Sequence, residues 1–156
     1  MATKRTVKPA PKKKAKRAVP AKGAGEVSAP KKVPHDSPLI ARLREICMAL
    51  PEVNERPSHG EPTWFAGKGR SFATLDNHHH GAPHLSVWLP QPLGVQQMLI
   101  EADPARFFRP PYVGVSGWVG VVLDTRPDWT LVANLVRDAY LHVATQKLAK
   151  QLKERT

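Results

Sequence analysis

The first 35 residues of this 156-residue chain restrict its fold most, because they contain almost no side chain that could enter a core. Their prolines remove backbone donors and interrupt helices, and their clustered lysines repel one another. We therefore expect residues 1–35 to form a disordered basic tail. Residues 36–156 are then left to form one folded domain, a length that suits a single core.

The net charge of +11 is divided unevenly between these two parts. The tail has eleven basic residues against the single acid Glu26, whereas residues 36–156 have thirteen basic and twelve acidic residues. A cationic run of this kind neutralises phosphates and releases their counterions, although a solubilising tail without a fixed partner has the same composition. The residues predicted to bind nucleic acid in the tail are Lys4, Arg5, Lys8, Lys12, Lys13, Lys14, Lys16, Arg17, Lys22, Lys31 and Lys32.

Other features exclude several classes of protein. Cys47 is the only cysteine, so no intramolecular disulfide forms, and its apolar surroundings favour a buried, inert thiol. No apolar run follows the basic N-terminus, as a secretory signal would require. The longest apolar run, residues 112–123, is shorter than the roughly 20 residues that span a bilayer. We expect a cytoplasmic protein, and a nucleoid-associated one if it binds DNA.

Hydrophobic periodicity and turn residues predict the elements of the domain. Asp36, Ser37 and Pro38 mark the start of a helix that ends at Pro51. A hairpin is predicted around Gly67, Lys68 and Gly69. The remaining predictions are a loop over 52–62, strands at 63–66, 70–76, 84–89 and 117–124, a helix at 92–102, a turn before 107–108, and a long helix from 127 that continues or restarts at 145. This order predicts an α+β fold, an antiparallel sheet with helices packed on one face.

Alternation within the predicted strands separates aliphatic from aromatic residues. Leu85, Val87 and Leu89 share one face of their strand, and Trp88 lies on the other. If the aliphatic faces pack on the helices, Trp88 and Trp118 line the opposite side of the sheet. Aromatic groups there can stack bases or line a groove for another flat ligand. A covering helix or a second protomer is an equally good explanation.

Histidines and carboxylates are close in sequence near the hairpin, and these side chains are ligands of transition metals. Three consecutive histidines cannot all face one ion, and no HExxH or CxxC spacing forces convergence. We expect a polar, hydrogen-bonding loop without a metal. The competing hypothesis is a small-molecule or metal-dependent site built on His59, Glu61, Trp64, Asp76, His78, His79 and His80.

Several ordered strings in residues 38–152 resemble the MmcQ/YjbR family. They are residues 58–65 (SHGEPTWF), Asp76 with 78–80 (HHH), 92–96, 102–104 (ADP) with 106–108 (RFF), 110–114 (PPYVG), 117–120 (GWVG) and 128–129 (DW). The resemblance implies a compact α+β domain of the kind described above. It also implies binding to DNA, the activity with which the family is usually labelled.

Two features depart from the family pattern. The basic tail is not a general family feature. Ala144 and Thr145 stand where the family has Ala-Pro, so the final helix is expected to be less sharply broken.

Together these observations predict a non-enzymatic DNA-binding protein of low sequence specificity. The tail would supply electrostatic affinity, and the domain would supply groove or shape contacts. No Gly-rich phosphate loop and no nucleophile elbow is present, so no cofactor and no catalytic residue is predicted. A protein-interaction module whose tryptophan face dimerises is a third hypothesis. The candidate surface of the domain comprises His59, Glu61, Trp64, Asp76, His78, His79, His80, Trp88 and Trp118.

Overall fold

The computed structural model describes residues 30–155, except for the side chain of His80. In this part of the chain, one antiparallel sheet is combined with four helices, which confirms the predicted α+β class. The elements are α1 (Pro38–Met48), β1 (Val53–Ser58), β2 (Glu61–Ala66), β3 (Ser71–Asn77), β4 (Leu85–Leu89), α2 (Val95–Ala102), β5 (Phe107–Phe108), β6 (Val119–Val122), α3 (Trp129–Val143) and α4 (Gln146–Glu154). Single 3-10 turns occupy His79–Gly81 and Val113–Ser116.

The sheet has the strand order β1-β2-β3-β4-β6-β5, and all neighbours run antiparallel. Helices α1 and α3 lie against one face of it. The residues Leu85, Val87 and Leu89 of β4 and Val119 and Val121 of β6 are buried there, as their alternation predicts. Tyr140 connects α3 to the sheet, because its ring centre lies 5.3 Å from that of Phe72 in an edge-to-face arrangement. Its hydroxyl also donates a hydrogen bond to the carbonyl of Pro51 at 2.7 Å. The core therefore lies between the sheet and α3.

Residues 53–58 form an edge strand, so the loop predicted over 52–62 is wrong. β1 pairs with β2 along its whole length, from Val53 opposite Ala66 to Ser58 opposite Glu61. Its sequence is mostly polar and contains Pro57, and therefore shows no alternation. Proline is tolerated on an edge strand because one side of that strand needs no ladder donors. Pairing with β2 creates this strand, and its own sequence does not signal it.

The turn predicted before residues 107–108 likewise leads into a short strand. Phe107 pairs with Val121 and Phe108 pairs with Gly120, so β5 extends the sheet beyond β6. Two residues are too few for periodicity to identify a strand.

The chain breaks sharply between α3 and α4, contrary to the softer break expected from Ala144-Thr145. Ala144 has extended backbone, and the hydroxyl of Thr145 accepts a hydrogen bond from the amide of Leu148 at 3.3 Å. A threonine N-cap starts a new helix without a proline.

Cys47 is fully buried in the core, and burial raises the pKa of its thiol well above the ordinary value. The thiolate is therefore disfavoured, as an inert thiol requires.

Within residues 30–155, no helix combines the length and the apolar character that crossing a membrane would need.

Candidate nucleic-acid interface

The side of the sheet turned away from α1 and α3 is called the open face here. Residues paired across neighbouring strands point to the same side. The register aligns one row across this face, formed by Thr63, Thr74, Trp88, Gly120 and Phe108. The next row contains Asp76, Ser86 and Val122. Aromatic and small residues are therefore mixed on the open face, where Thr74, Trp88 and Phe108 are half-buried and the remaining residues of the two rows are buried.

Two aromatic contacts shape its surface. A Cβ atom at position 120 would clash with the Phe108 ring, so Gly120 allows that ring to lie flat on β6. Near the opposite edge of the sheet, the guanidinium carbon of Arg56 lies 3.9 Å from the centre of the Phe65 ring. This distance is within the range of a cation–π interaction. Arg56 is exposed, so it presents a positive charge on an apolar platform.

Trp88 and Trp118 are both half-buried. Trp88 lies on the open face, as alternation within β4 predicts, since it is paired with Gly120. Its indole Nε1 is buried and has no hydrogen-bond partner among the described residues. Trp118 comes directly before β6, at the end of the sheet where β4 finishes.

Trp64 does not belong to this surface, contrary to its inclusion in the predicted candidate set. It is paired with Ala73, one position out of phase with the Thr63–Thr74 row, so it points to the helices. Its exposure is 0%. The predicted strand contained the residue, but its boundaries did not specify which side of the sheet faces the helices.

Glu61 and Asn77 are also buried, because residues 32–35, called the anchor segment here, pack against them. Lys32 Nζ lies 3.0 Å from Glu61 Oε1, and His35 Nε2 lies 3.0 Å from Glu61 Oε2. The amide of Val33 donates to Asn77 Oδ1 at 2.8 Å, and Asn77 Nδ2 donates to the carbonyl of Val33 at 2.7 Å. Glu61 is 2% exposed and Asn77 is fully buried.

The predicted tail of residues 1–35 therefore ends in a segment that is bound to the domain. Contacts with the sheet begin at Lys32, four residues before the predicted boundary at Asp36. Of the tail residues predicted to bind nucleic acid, Lys32 pairs with Glu61 and Lys31 is exposed. Those from Lys4 to Lys22 lie outside the described residues. No local sequence pattern indicates the anchor segment, because its hydrogen-bond partners are 26 to 44 residues away in sequence.

Asp76 lies on the open face and is 5% exposed. Burial raises the pKa of its carboxyl group above the ordinary value of 3.8, and the charge of Glu61 acts in the same direction. The amide of His79, which donates to Asp76 Oδ1 at 3.0 Å, and the charges of His79 and His78 partly oppose that rise in pKa. Asp76 thus takes part in a local turn.

The histidines of this region turn to separate partners. His78 Nδ1 lies 2.9 Å from the carbonyl of Ala82, and His79 Nε2 lies 3.4 Å from the carbonyl of His59. His59 is exposed. These contacts match the expected polar, hydrogen-bonding loop. Among the side chains described in residues 30–155, which exclude that of His80, no three His, Cys, Asp or Glu residues are grouped as metal ligands.

An antiparallel sheet with helices packed on one face defines a small α+β domain, and the comparisons with known proteins assign it further. The family model described as YjbR matches residues 48–142. The chain belongs to the YjbR family, as the sequence motifs indicated.

A solved relative has the same architecture. The crystal structure of Deinococcus radiodurans protein DR2400, which carries the family-model domain DUF419, is 24% identical to this chain with a TM-score of 0.57. The likeness covers 71% of this chain and 85% of that one, and it shows the fold alone. No curated protein matches the chain.

Proposed function

We propose that the protein binds DNA with low sequence specificity and catalyses no reaction. The observation that carries this proposal is the separation of charge: eleven of the 24 basic residues lie in residues 1–35, against one acid. Such a run binds polyanions through counterion release. Binding of this kind would act at the nucleoid, in the cytoplasm.

The anchor segment supports a joint action of the tail and the sheet. Lys32 and His35 meet Glu61 at the start of β2, and Glu61 shares the open face with Thr63. The basic residues that precede Lys32 in sequence are therefore connected to the sheet at one end of the open face. DNA bound to that face would lie next to the point where the tail joins the domain.

The open face itself supplies contacts of low specificity. Arg56 over Phe65 offers a charge to a phosphate, and the half-buried Trp88 offers an aromatic surface to sugars or bases. Stacking of this kind is tolerant of sequence because every base has a π-face. Residues 36–156 are nearly neutral, so most of the affinity must come from the tail.

Salt dependence of DNA binding tests the role of the tail. Replacing Lys12, Lys13 and Lys14 with Gln in the full chain should weaken binding to a duplex. It should also reduce the slope of log K against log salt by up to about 0.9 for each phosphate that is no longer neutralised. Fluorescence anisotropy at four or five salt concentrations measures both quantities.

A matched control removes the same charge elsewhere. Lys147, Lys150 and Lys153 are exposed on α4, and their replacement by Gln should change the slope much less. Equal changes in the two variants would assign binding to the overall charge, and an unchanged slope in the tail variant would refute the proposed role of the tail.

Arg56 tests the contribution of the open face. Arg56→Gln should weaken duplex binding by about fivefold, corresponding to about 1 kcal/mol for a surface charge contact. Arg42→Gln, on the exposed side of α1, is the matched control and should leave the affinity unchanged. Equal affinities of the two variants would show that Arg56 makes no specific contact with DNA.

A further inference from the structure

A cleft of about 340 Å³ lies at the end of the sheet opposite to Glu61. β4 runs antiparallel to both β3 and β6. At this end of the sheet, therefore, β4 ends and the other two strands begin. Helix α3 finishes beside them. The residues that line the cleft include Arg70, Ser71, Pro90, Ser116, Trp118 and His142.

The polar side chains of this cleft have unused hydrogen-bonding capacity. Within residues 30–155, no hydrogen bond or ion pair holds the side chains of Arg70, Ser71, Ser116, Trp118 or His142. Among the described residues, none that lines the cleft has a carboxylate side chain. Arg70, Ser116 and His142 are exposed, and Ser71 and Trp118 are half-buried, so these groups are available to a ligand that replaces their hydrating water.

The hydrogen-bond donors of this cleft favour an anionic ligand. A guanidinium group binds a phosphate through two parallel hydrogen bonds, and serine hydroxyl groups and an imidazole N–H add further donors. Trp118 supplies a flat, half-buried ring on which another ring can stack. The volume lies at the lower end of the range for small-molecule sites, roughly 300–1,000 Å³.

We propose that this cleft binds a phosphate monoester joined to a flat ring, which is the chemistry of a nucleotide. Arg70 and His142 hold the phosphate, and Trp118 stacks on the ring. Such a group comes either from a free mononucleotide or from the 5′-phosphorylated end of a DNA strand. This binding site lies at the end of the sheet opposite to Glu61 and the anchor segment.

The side chains of Arg70 and His142 also have a structural explanation. His142 lies in the last turn of α3, where a cation complements the exposed carbonyls of a helix end. If that were the purpose of Arg70 and His142, their removal would lower the stability of the fold. Ligand binding would not depend on Trp118.

Calorimetric titration of the full chain with deoxyadenosine 5′-monophosphate tests the proposal. Binding of one nucleotide per chain is expected, with deoxyadenosine and inorganic phosphate each binding at least about tenfold more weakly. Arg70→Gln and Trp118→Leu should each reduce the affinity for the nucleotide by roughly tenfold, the effect of losing a charged hydrogen bond or a stacked ring. Arg126→Gln, an exposed arginine at the opposite end of the sheet, is the matched control and should bind as the parent chain does.

Three outcomes would overturn the proposal. Equal binding of inorganic phosphate would show that the ring contributes nothing. Equal weakening by Arg70→Gln and Arg126→Gln would show a general charge effect. Loss of nucleotide binding in the Lys12, Lys13 and Lys14 variant, with Arg70→Gln unaffected, would assign the ligand to the tail.

Two oligonucleotides distinguish the sources. If the ligand is a strand end, a 5′-phosphorylated single strand should bind more tightly than the same strand with a 5′-hydroxyl group, and Arg70→Gln should abolish the difference. If mononucleotide binds and the two strands do not differ, the ligand is the free nucleotide. Duplex binding by the tail is measured with 5′-hydroxyl ends, so it is expected to survive Arg70→Gln whatever the result in the cleft.

Discussion

The two ends of the sheet differ in how their polar groups are used. At the anchored end, defined by Glu61, Asn77 and Asp124, carboxylates and amides are bonded to other parts of the chain. Asp124 alone accepts from the amide of Leu85 at 2.9 Å and lies 2.9 Å from His84 Nδ1. At the cleft end, defined by Arg70, Trp118 and His142, the side chains have no such partners among the described residues.

This difference separates stability from binding. Bonded, buried polar groups specify one conformation, and removing one partner leaves the other unsatisfied. Side chains around an open cleft that make no hydrogen bond or ion pair contribute little to the stability of the fold, and they can bind a ligand instead. The anchored end should therefore respond to substitution through stability, and the cleft end through affinity.

The largest stability effect is expected at Asn77. Asn77→Ala removes two hydrogen bonds of 2.8 and 2.7 Å and leaves both backbone groups of Val33 without their partner. A loss of about 2–3 kcal/mol in the free energy of unfolding is expected, at about 1 kcal/mol for each bond plus the cost of the unsatisfied groups. Urea unfolding of the full chain measures it.

Asn134→Ala is the matched control for this prediction. Asn134 is exposed in the middle of α3, and alanine is the better helix former, so stability should stay equal or rise slightly. Equal losses in the two variants would show that the anchor segment adds nothing to the fold.

The contacts of Asn77 also show where sequence reasoning stops. The hairpin around Gly67–Gly69, the aliphatic faces of β4 and β6 and the helix starts at Pro38 and Asp128 all depend on neighbours within a few residues, and these features were predictable. The anchor segment depends on Asn77, 44 residues from Val33, and therefore has no local signal. β1 shares this property, because its strand character comes from pairing with β2.

The candidate site was predicted in part for the same reason. Alternation indicated that Trp88 is turned away from the helices, whereas Trp64, Glu61 and Asp76 were included among surface candidates and are buried. Arg70, Ser116 and His142 carry no motif, since three separate elements bring them to one cleft. Only the topology of the sheet shows that β3 and β6, which are separated by β4, start at the same end of the sheet.

Protease sensitivity should separate the anchor from the tail that precedes it. Cleavage by trypsin after Lys32 requires Val33 to detach from Asn77, so it should be slow in the parent chain. Asn77→Ala should increase the cleavage rate at this bond by at least about tenfold, because each 1.4 kcal/mol of local stability lost corresponds to a factor of ten. Mass spectrometry of timed digests identifies the bond.

Cleavage after Lys22 is the internal reference for that measurement. Its rate should be the same in both chains, because the substitution lies in the folded domain. Fast cleavage after Lys32 in the parent chain would contradict the anchor. A deletion intended to preserve the anchor contacts should consequently end before residue 30, since removal of residues 32–35 would expose Glu61 and Asn77.

A smaller effect, in the opposite direction, is expected at Asp76. Its pKa is raised above 3.8, chiefly by burial, so between that value and the raised one the folded state retains a proton that the unfolded state releases. This group therefore makes stability fall as pH rises through that window. Asp76→Asn should remove the fall and leave the protein at least as stable at neutral pH, provided that the amide oxygen still accepts from the amide of His79. Thermal unfolding between pH 3 and 8 tests this expectation against the exposed Asp138→Asn; a lower stability of Asp76→Asn at neutral pH would show that the charge is favourable there.

The smallest change in stability is expected at the cleft end, and it is the sharpest test of the contrast between the two ends. Arg70→Gln and His142→Ala each remove a side chain that has no hydrogen bond or ion pair within residues 30–155. Surface substitutions of this kind usually change the free energy of unfolding by no more than about 0.5 kcal/mol. If these side chains instead stabilise the end of α3 electrostatically, their loss should cost about 0.3–1 kcal/mol each, and the cost should shrink in high salt. Urea unfolding at low and at high salt distinguishes these cases. A salt-sensitive loss would assign Arg70 and His142 to the helix end, whereas unchanged stability together with weakened nucleotide binding would leave the cleft as a binding site.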